Sequence, residues 1–181
     1  MQPESLYDKI ISVIKMEFTR RKSPRLKGFD YNTPGIYFIT ICTYKMRMLF
    51  WEEPMCVKPL PVADRLNFAG QIADDAVRNL SKMFPVIIDK YVVMPNHIHM
   101  LIRIENNNIK TKTGLMSRVV GCLKMRISKK LHDLNVEDII WQRSFHDHII
   151  RNEEEYERIW DYIQNNPCKW EHDCFFERIS P

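Results

Sequence analysis

Two histidines, His97 and His99, stand two residues apart in VVMPNHIHMLI, inside an apolar and β-branched run. Successive strand side chains point to opposite faces, so the two imidazoles share one face and Ile98 and Met100 share the other. Paired imidazoles on one face suit a metal ion. Two ordinary polar residues on the solvated face of a sheet have the same pattern. A second group lies in DYIQNNP, where Tyr162 and Asn166 are four apart and therefore neighbours on one helical face. A helix laid along the histidine face of the sheet would bring Asn166 to the metal and Tyr162 to the substrate bound there. Two imidazoles and an amide oxygen leave places for water and phosphate oxygens, which suits Mg2+ or Mn2+. On spacing alone the plain alternatives stay open: a core tyrosine at Tyr162, and a helix C-terminal residue at Asn166, just before Pro167.

Other chemistries are excluded by what the chain lacks. It has no P-loop, no GxGxxG, no HExxH and no GxSxG, and only 5 glycines. An enzyme of this composition acting on phosphates has to use a metal and a nucleophile. The 5 cysteines are odd in number and contain no CxxC pair. That speaks against a disulfide framework and for a reducing cytoplasm. The spacing of Cys168, His172 and Cys174 matches no common zinc pattern.

Net charge is +4 and the sequence pI about 8.8, a mild basic excess. It is concentrated in RRKSPRLKGFD, where Arg20, Arg21, Lys22, Arg25 and Lys27 have no acid among them, a pattern that points to phosphate contact. Lys124 stands in LMSRVVGCLKMRISKKL, an amphipathic helix whose other cations include Arg118, Arg126, Lys129 and Lys130, and it is a further candidate for phosphate contact.

The secondary structure around these residues follows from periodicity. At 181 residues, with 45% hydrophobic and 28% charged, the chain is one domain with arms. PESLYDKIISVIKMEFTRRK has helical spacing, GIYFITICTY reads as a buried strand, and a short strand is expected at 48–51. A helix is expected from about 63 to 83, ending before Pro85. VIIDKYVVM and IHMLIRI form a hairpin that turns at Pro95 and Asn96. The basic helix follows, then an extended IIWQRSFHDHIIR, then the helix NEEEYERIWDYIQNN with acids in its first turn. The order matches an α+β fold: a ferredoxin-like βαββαβ core with an antiparallel sheet, plus a C-terminal helix carrying the tyrosine. No run approaches the ~20 apolar residues of a membrane span, so the expectation is a cytoplasmic protein with no membrane partner.

VVMPNHIHMLI resembles the histidine–hydrophobic–histidine (HUH) motif of single-tyrosine transposases. WQRSFHDHIIRNEEEYERIWDYIQNNPCKW is similar to the C-terminal signature of the REP-associated tyrosine transposases, and RRKSPRLKGFDYNTPGIYFITICTYKMRMLFW to their opening. The resemblance runs from about Arg20 to Trp170. It implies a metal-dependent single-strand DNA endonuclease and strand transferase acting on DNA hairpins of the repetitive extragenic palindrome kind. By position, it makes His97 and His99 the metal ligands, Tyr162 the nucleophile that forms a 5′-phosphotyrosine, and Asn166 the third ligand. The organisation that follows is an N-terminal helix and basic arm at 1–28, one HUH transposase-like domain at 29–170, and a tail at 171–181. That tail, with its HDCFFE, departs from the family pattern. The base that takes the tyrosine proton is not identified, with His146, His148 and Lys169 as candidates, and both monomer and homodimer are open. The rival readings are a non-catalytic nucleic-acid-binding module on the same scaffold, which lacks support from any RNP-type motif, and a hydrolytic metalloenzyme that forms no covalent DNA link.

Overall fold

The structure, a computed structural model, describes residues 30, 32–52, 65–105, 114–136 and 139–176. The expected N-terminal helix and the cations Arg20, Arg21, Lys22, Arg25 and Lys27 lie outside the described residues. Four strands, β1 (Gly35–Cys42), β2 (Ile87–Val93), β3 (His97–Ile104) and β4 (His146–Ile150), form one sheet in the order β2-β3-β1-β4. Every neighbouring pair is antiparallel. The helices are α1 (Phe68–Arg78), the short α2 (Leu80–Met83), α3 (Leu115–His132) and α4 (Glu153–Asn165), followed by a 3-10 segment over Asn166–His172. This is the expected βαββαβ arrangement with its additional C-terminal helix. Among the described residues no helix is long and apolar enough to cross a membrane.

The central strands β1 and β3 carry apolar residues on both faces because both faces are covered. On one face Tyr91 of β2 reaches α1 through its hydroxyl, which donates to Asp74 Oδ1 at 2.7 Å. The helix α3 packs alongside α1 and ties to it through Lys130 and Asp75. The other face receives α4. Its first turn is capped by Asn152, whose side chain accepts from Glu155 N at 2.8 Å, and Glu155 in turn meets His148 of β4 at 2.7 Å. That cap satisfies an otherwise orphaned helix donor while the His148–Glu155 hydrogen bond pins the helix to the sheet.

Local expectation and structure differ at the entry to α1. The helix starts at Phe68 rather than near residue 63, because Asn67 is taken as its N-cap, accepting from Gly70 N at 2.9 Å. The same side chain donates to Leu49 O and Trp51 O, and Leu66 forms an isolated bridge with Trp51. The strand expected over 48–51 is reduced to that bridge. Gly70 allows this approach, since a Cβ there would stand 2.1 Å from Phe50 O. The extended segment before β4 is likewise shorter than its pattern, with Trp141 making only an isolated bridge to Thr43.

The β2–β3 turn is gripped by neighbouring chain. Pro95 O accepts from Leu49 N (2.7 Å) and Phe50 N (3.1 Å), and Asn96 O accepts from Thr43 N (2.9 Å) and Thr43 Oγ1 (3.0 Å). A turn without a spare carbonyl is a fixed origin for the strand that begins at His97.

Candidate active site

Register does the first part of the assembly. β1 and β3 pair Thr40 with His99 and Cys42 with His97, so these four side chains share the face that α4 covers. Both histidines are fully buried, not set on a solvated face. Asn96 Nδ2 donates to Phe175 O at 3.3 Å, which turns its Oδ1 toward His97 Nδ1 at 2.8 Å. His97 therefore carries its proton on Nδ1 and presents the Nε2 lone pair inward. That atom lies 3.0 Å from His99 Nε2. With His97 accepting at Nε2, His99 donates from Nε2, and its Nδ1 accepts from Thr40 Oγ1 at 2.8 Å.

Burial holds both rings neutral. It pushes His97 well below the ordinary 6.5, with His99 adding to the effect, and takes His99 down to about 3. Neutral imidazole is the ligating form. The two Nε2 atoms, 3.0 Å apart, are close enough for both imidazoles to hold one ion.

Tyr162 arrives from α4. Its hydroxyl is 3.3 Å from His99 Nε2 and donates to Asp173 Oδ2 at 2.9 Å. Its ring meets Phe38 edge-on and lies 5.3 Å from the His99 ring. Asn166, at the end of the same helix, donates from Nδ2 to Asp173 Oδ2 at 2.8 Å. Its Oδ1 is buried without a hydrogen-bond partner. An orphaned buried acceptor costs about 1–3 kcal/mol, and a cation is one partner that would satisfy it. Just beyond, Arg65 Nη1 donates to Pro167 O at 3.0 Å while its guanidinium stacks 5.0 Å over Trp51, holding the chain that follows Asn166.

The residues Tyr162, His97, His99 and Asn166 thus converge within one chain. Asp173, which residue spacing does not single out, is fully buried in the segment read as a tail. Its Oδ1 accepts from Phe175 N at 2.7 Å, and the Phe175 ring stacks 4.4 Å from that of His97. Burial pushes the Asp173 carboxyl above its ordinary value, against the Phe175 N–H, the Tyr162 hydroxyl, the Asn166 amide and the Cys174 side chain, which all pull it down. His97, His99 and Asp173 each offer a ligand atom within 4.8 Å of the others. Among the described residues Cys168, His172 and Cys174 form no such group; Cys168 is exposed and Cys174 buried. No sequence signal singled out Asp173, because its partners are set by how the chain folds back after α4.

Two expected contributors sit elsewhere. Lys124 donates to Gln142 O and Ser144 O, both at 2.7 Å, while its own carbonyl accepts from Trp141 Nε1 at 3.2 Å. It clamps the segment before β4, so its ammonium is engaged internally where a phosphate contact was expected. His148, a candidate base, is engaged with Glu155.

The chain matches the model of the family described as "Transposase IS200 like" over residues 68–166, which includes both histidines, Tyr162 and Asn166. A Haemophilus influenzae protein of uncharacterised function is 33% identical over 175 residues, covering 86% of this chain and 93% of its own. The solved structure of the REP-associated tyrosine transposase bound to a REP hairpin is similar in fold, with a TM-score of 0.55 at 21% identity over 83% of this chain and 74% of that one. The family match spans more than half of the chain and contains the paired histidines and the tyrosine. The chain belongs to the IS200-like transposase family, as an HUH-type transposase acting on DNA.

Proposed function

We propose that this transposase cuts and rejoins single-stranded DNA beside hairpins, with Tyr162 as the nucleophile and a divalent ion, Mg2+ or Mn2+, held by His97, His99 and Asn166. The observation that carries the reading is the Tyr162 hydroxyl, 3.3 Å from one member of a facing pair of neutral imidazole nitrogens. When bound, the ion supplies Lewis-acid polarisation of the scissile phosphate. The protein's part is to position. β3 aims both imidazoles at one point, Asn96 and Thr40 hold their outer nitrogens, and α4 delivers the phenol to the same place. The phenolic oxygen attacks phosphorus, the bond to the 3′ oxygen breaks, and that oxygen leaves as a free 3′-OH. The resulting 5′-phosphotyrosine keeps the phosphodiester's energy, so another 3′-OH reverses the step and joins strands.

The fold likeness to a transposase bound to a REP hairpin supports a hairpin partner. The arm from Arg20 to Lys27 fits sequence-independent phosphate contact. Assembly of the four groups within one chain supports a site completed in cis, by a monomer or by each copy of a homodimer.

The test is incubation with hairpin oligonucleotides bearing single-stranded flanks and Mn2+, followed by denaturing electrophoresis. A denaturation-resistant protein–DNA adduct, lost in Tyr162→Phe with hairpin binding kept, is expected. Binding without cleavage would support a non-catalytic module, and cleavage without an adduct a hydrolytic enzyme.

A further inference from the structure

Asp173 is a buried carboxylate whose four donors, Phe175 N–H, the Tyr162 hydroxyl, the Asn166 amide and the Cys174 thiol, all lack positive charge. Burying an ionised carboxylate without a countercharge costs several kcal/mol even when it is hydrogen-bonded. A cation between this carboxylate and the two imidazoles would supply it. The ligand atoms of His97, His99 and Asp173 lie within 4.8 Å of one another, and all three side chains are fully buried.

We propose that Asp173 is itself a ligand of the divalent ion, joining His97, His99 and Asn166. The inference rests on the metal-dependent reading of the site, and it makes the chain through Phe176 part of the catalytic centre. A hard carboxylate oxygen favours Mg2+ and Mn2+ over softer ions. It also reduces the site's charge from +2 to +1, matched to the single negative charge of a phosphodiester. A carboxylate has about four lone-pair positions, and the four donors already fill them, so the ion takes the place of one donor at this group. Asn166 Nδ2 donates to the Asp173 carboxylate, and its Oδ1, buried without a hydrogen-bond partner, remains the acceptor available to the ion.

The experiment is an electron paramagnetic resonance titration of the full chain with Mn2+, without DNA. Asp173→Asn should weaken Mn2+ binding by roughly tenfold or more. His97→Ala should also weaken binding. If His97→Ala weakens it and Asp173→Asn binds as the wild type does, ligation by Asp173 is overturned and the metal reading stands. If His97→Ala binds normally, or the wild type shows no saturable binding, the metal reading itself falls and this inference with it. Should Asp173→Asn not fold, wild-type protein labelled with 13C in its aspartate carboxyls gives the answer by electron–nuclear double resonance. A strong 13C coupling to bound Mn2+ supports the ligand, and its absence overturns it.

Discussion

The two faces of β3 are equally withdrawn from water and built on opposite logic. Ile98, Met100 and Ile102 are fully buried on one face, and His97 and His99 are fully buried on the other. On the first face, removal of apolar area from water is stabilising at about 25 cal/mol per Å2 and asks only for fit. On the second, every nitrogen needs a partner and the rings have to stay neutral. Asn96 and Thr40 meet that demand for the outer nitrogens. It is not met everywhere, since Asn166 Oδ1 and Trp170 Nε1 are buried without partners. An apolar replacement of the second face would be the easier way to stabilise a sheet, so a polar face kept dry points to chemistry rather than to folding.

The contrast is broken most sharply at Tyr162. Tyr162→Phe removes one oxygen and should lower cleavage by roughly 10^4-fold or more, while the loss of one donor to Asp173 lowers unfolding free energy by about 1–3 kcal/mol. Single-turnover cleavage and denaturant titration measure the two sides, and a mutant that cuts at the wild-type rate ends the assignment. Ile98→Ala should do the reverse. It should cost about 2–5 kcal/mol of stability through the cavity left, with adduct formation per folded molecule largely kept. A loss well under 1 kcal/mol would show that the apolar face is not the scaffold.

Two glycines sharpen the same division between support and site. Gly70→Ala should destabilise by about 1–3 kcal/mol, because its Cβ would meet Phe50 O at 2.1 Å. Gly121 in α3 has nothing within 4 Å of an added Cβ, so Gly121→Ala should stabilise by up to about 1 kcal/mol. Equal thermal shifts for the two would contradict the close packing of α1 against the 49–51 segment.

The smallest effect expected is in acid. Burial pushes the Glu155 carboxyl up, but the Arg151 N–H and the His148 side chain together hold it below its ordinary 4.5. A depressed carboxyl contributes stability that is fully present above 4.5 and fades as pH falls through the lower folded value. Glu155→Gln should therefore flatten part of the stability loss below that pH, read from denaturant midpoints. An unchanged acid slope would remove this pair as an anchor of the tyrosine helix.

Much of this was legible without coordinates. The period-2 pattern around His97 put both imidazoles on one side of a strand, and the four-residue spacing put Tyr162 and Asn166 on one side of a helix. Both are local properties that backbone geometry imposes wherever the segment goes, as are the ranges of α3 and α4. The start of α1 was not legible, because Asn67 is committed to α1 only through bonds to Leu49 and Trp51 in another segment. Lys124 read as a surface cation because helical periodicity cannot show that two carbonyls from residues 142 and 144 will meet its ammonium.

Periodicity and motif spacing carry the order of the sheet strands and main helices, the face each reactive group occupies on its own element, and the family resemblance. Tertiary structure decided which faces meet. The Tyr162–His99 contact spans 63 residues and the Asn96–Phe175 bond 79. Packing of the whole chain selects such pairings, since only there is the entropy of closing so long a loop offset by buried area and satisfied polar groups. Asp173 belongs to the site for that reason: its neighbours in sequence say nothing of the buried position to which the chain returns after α4.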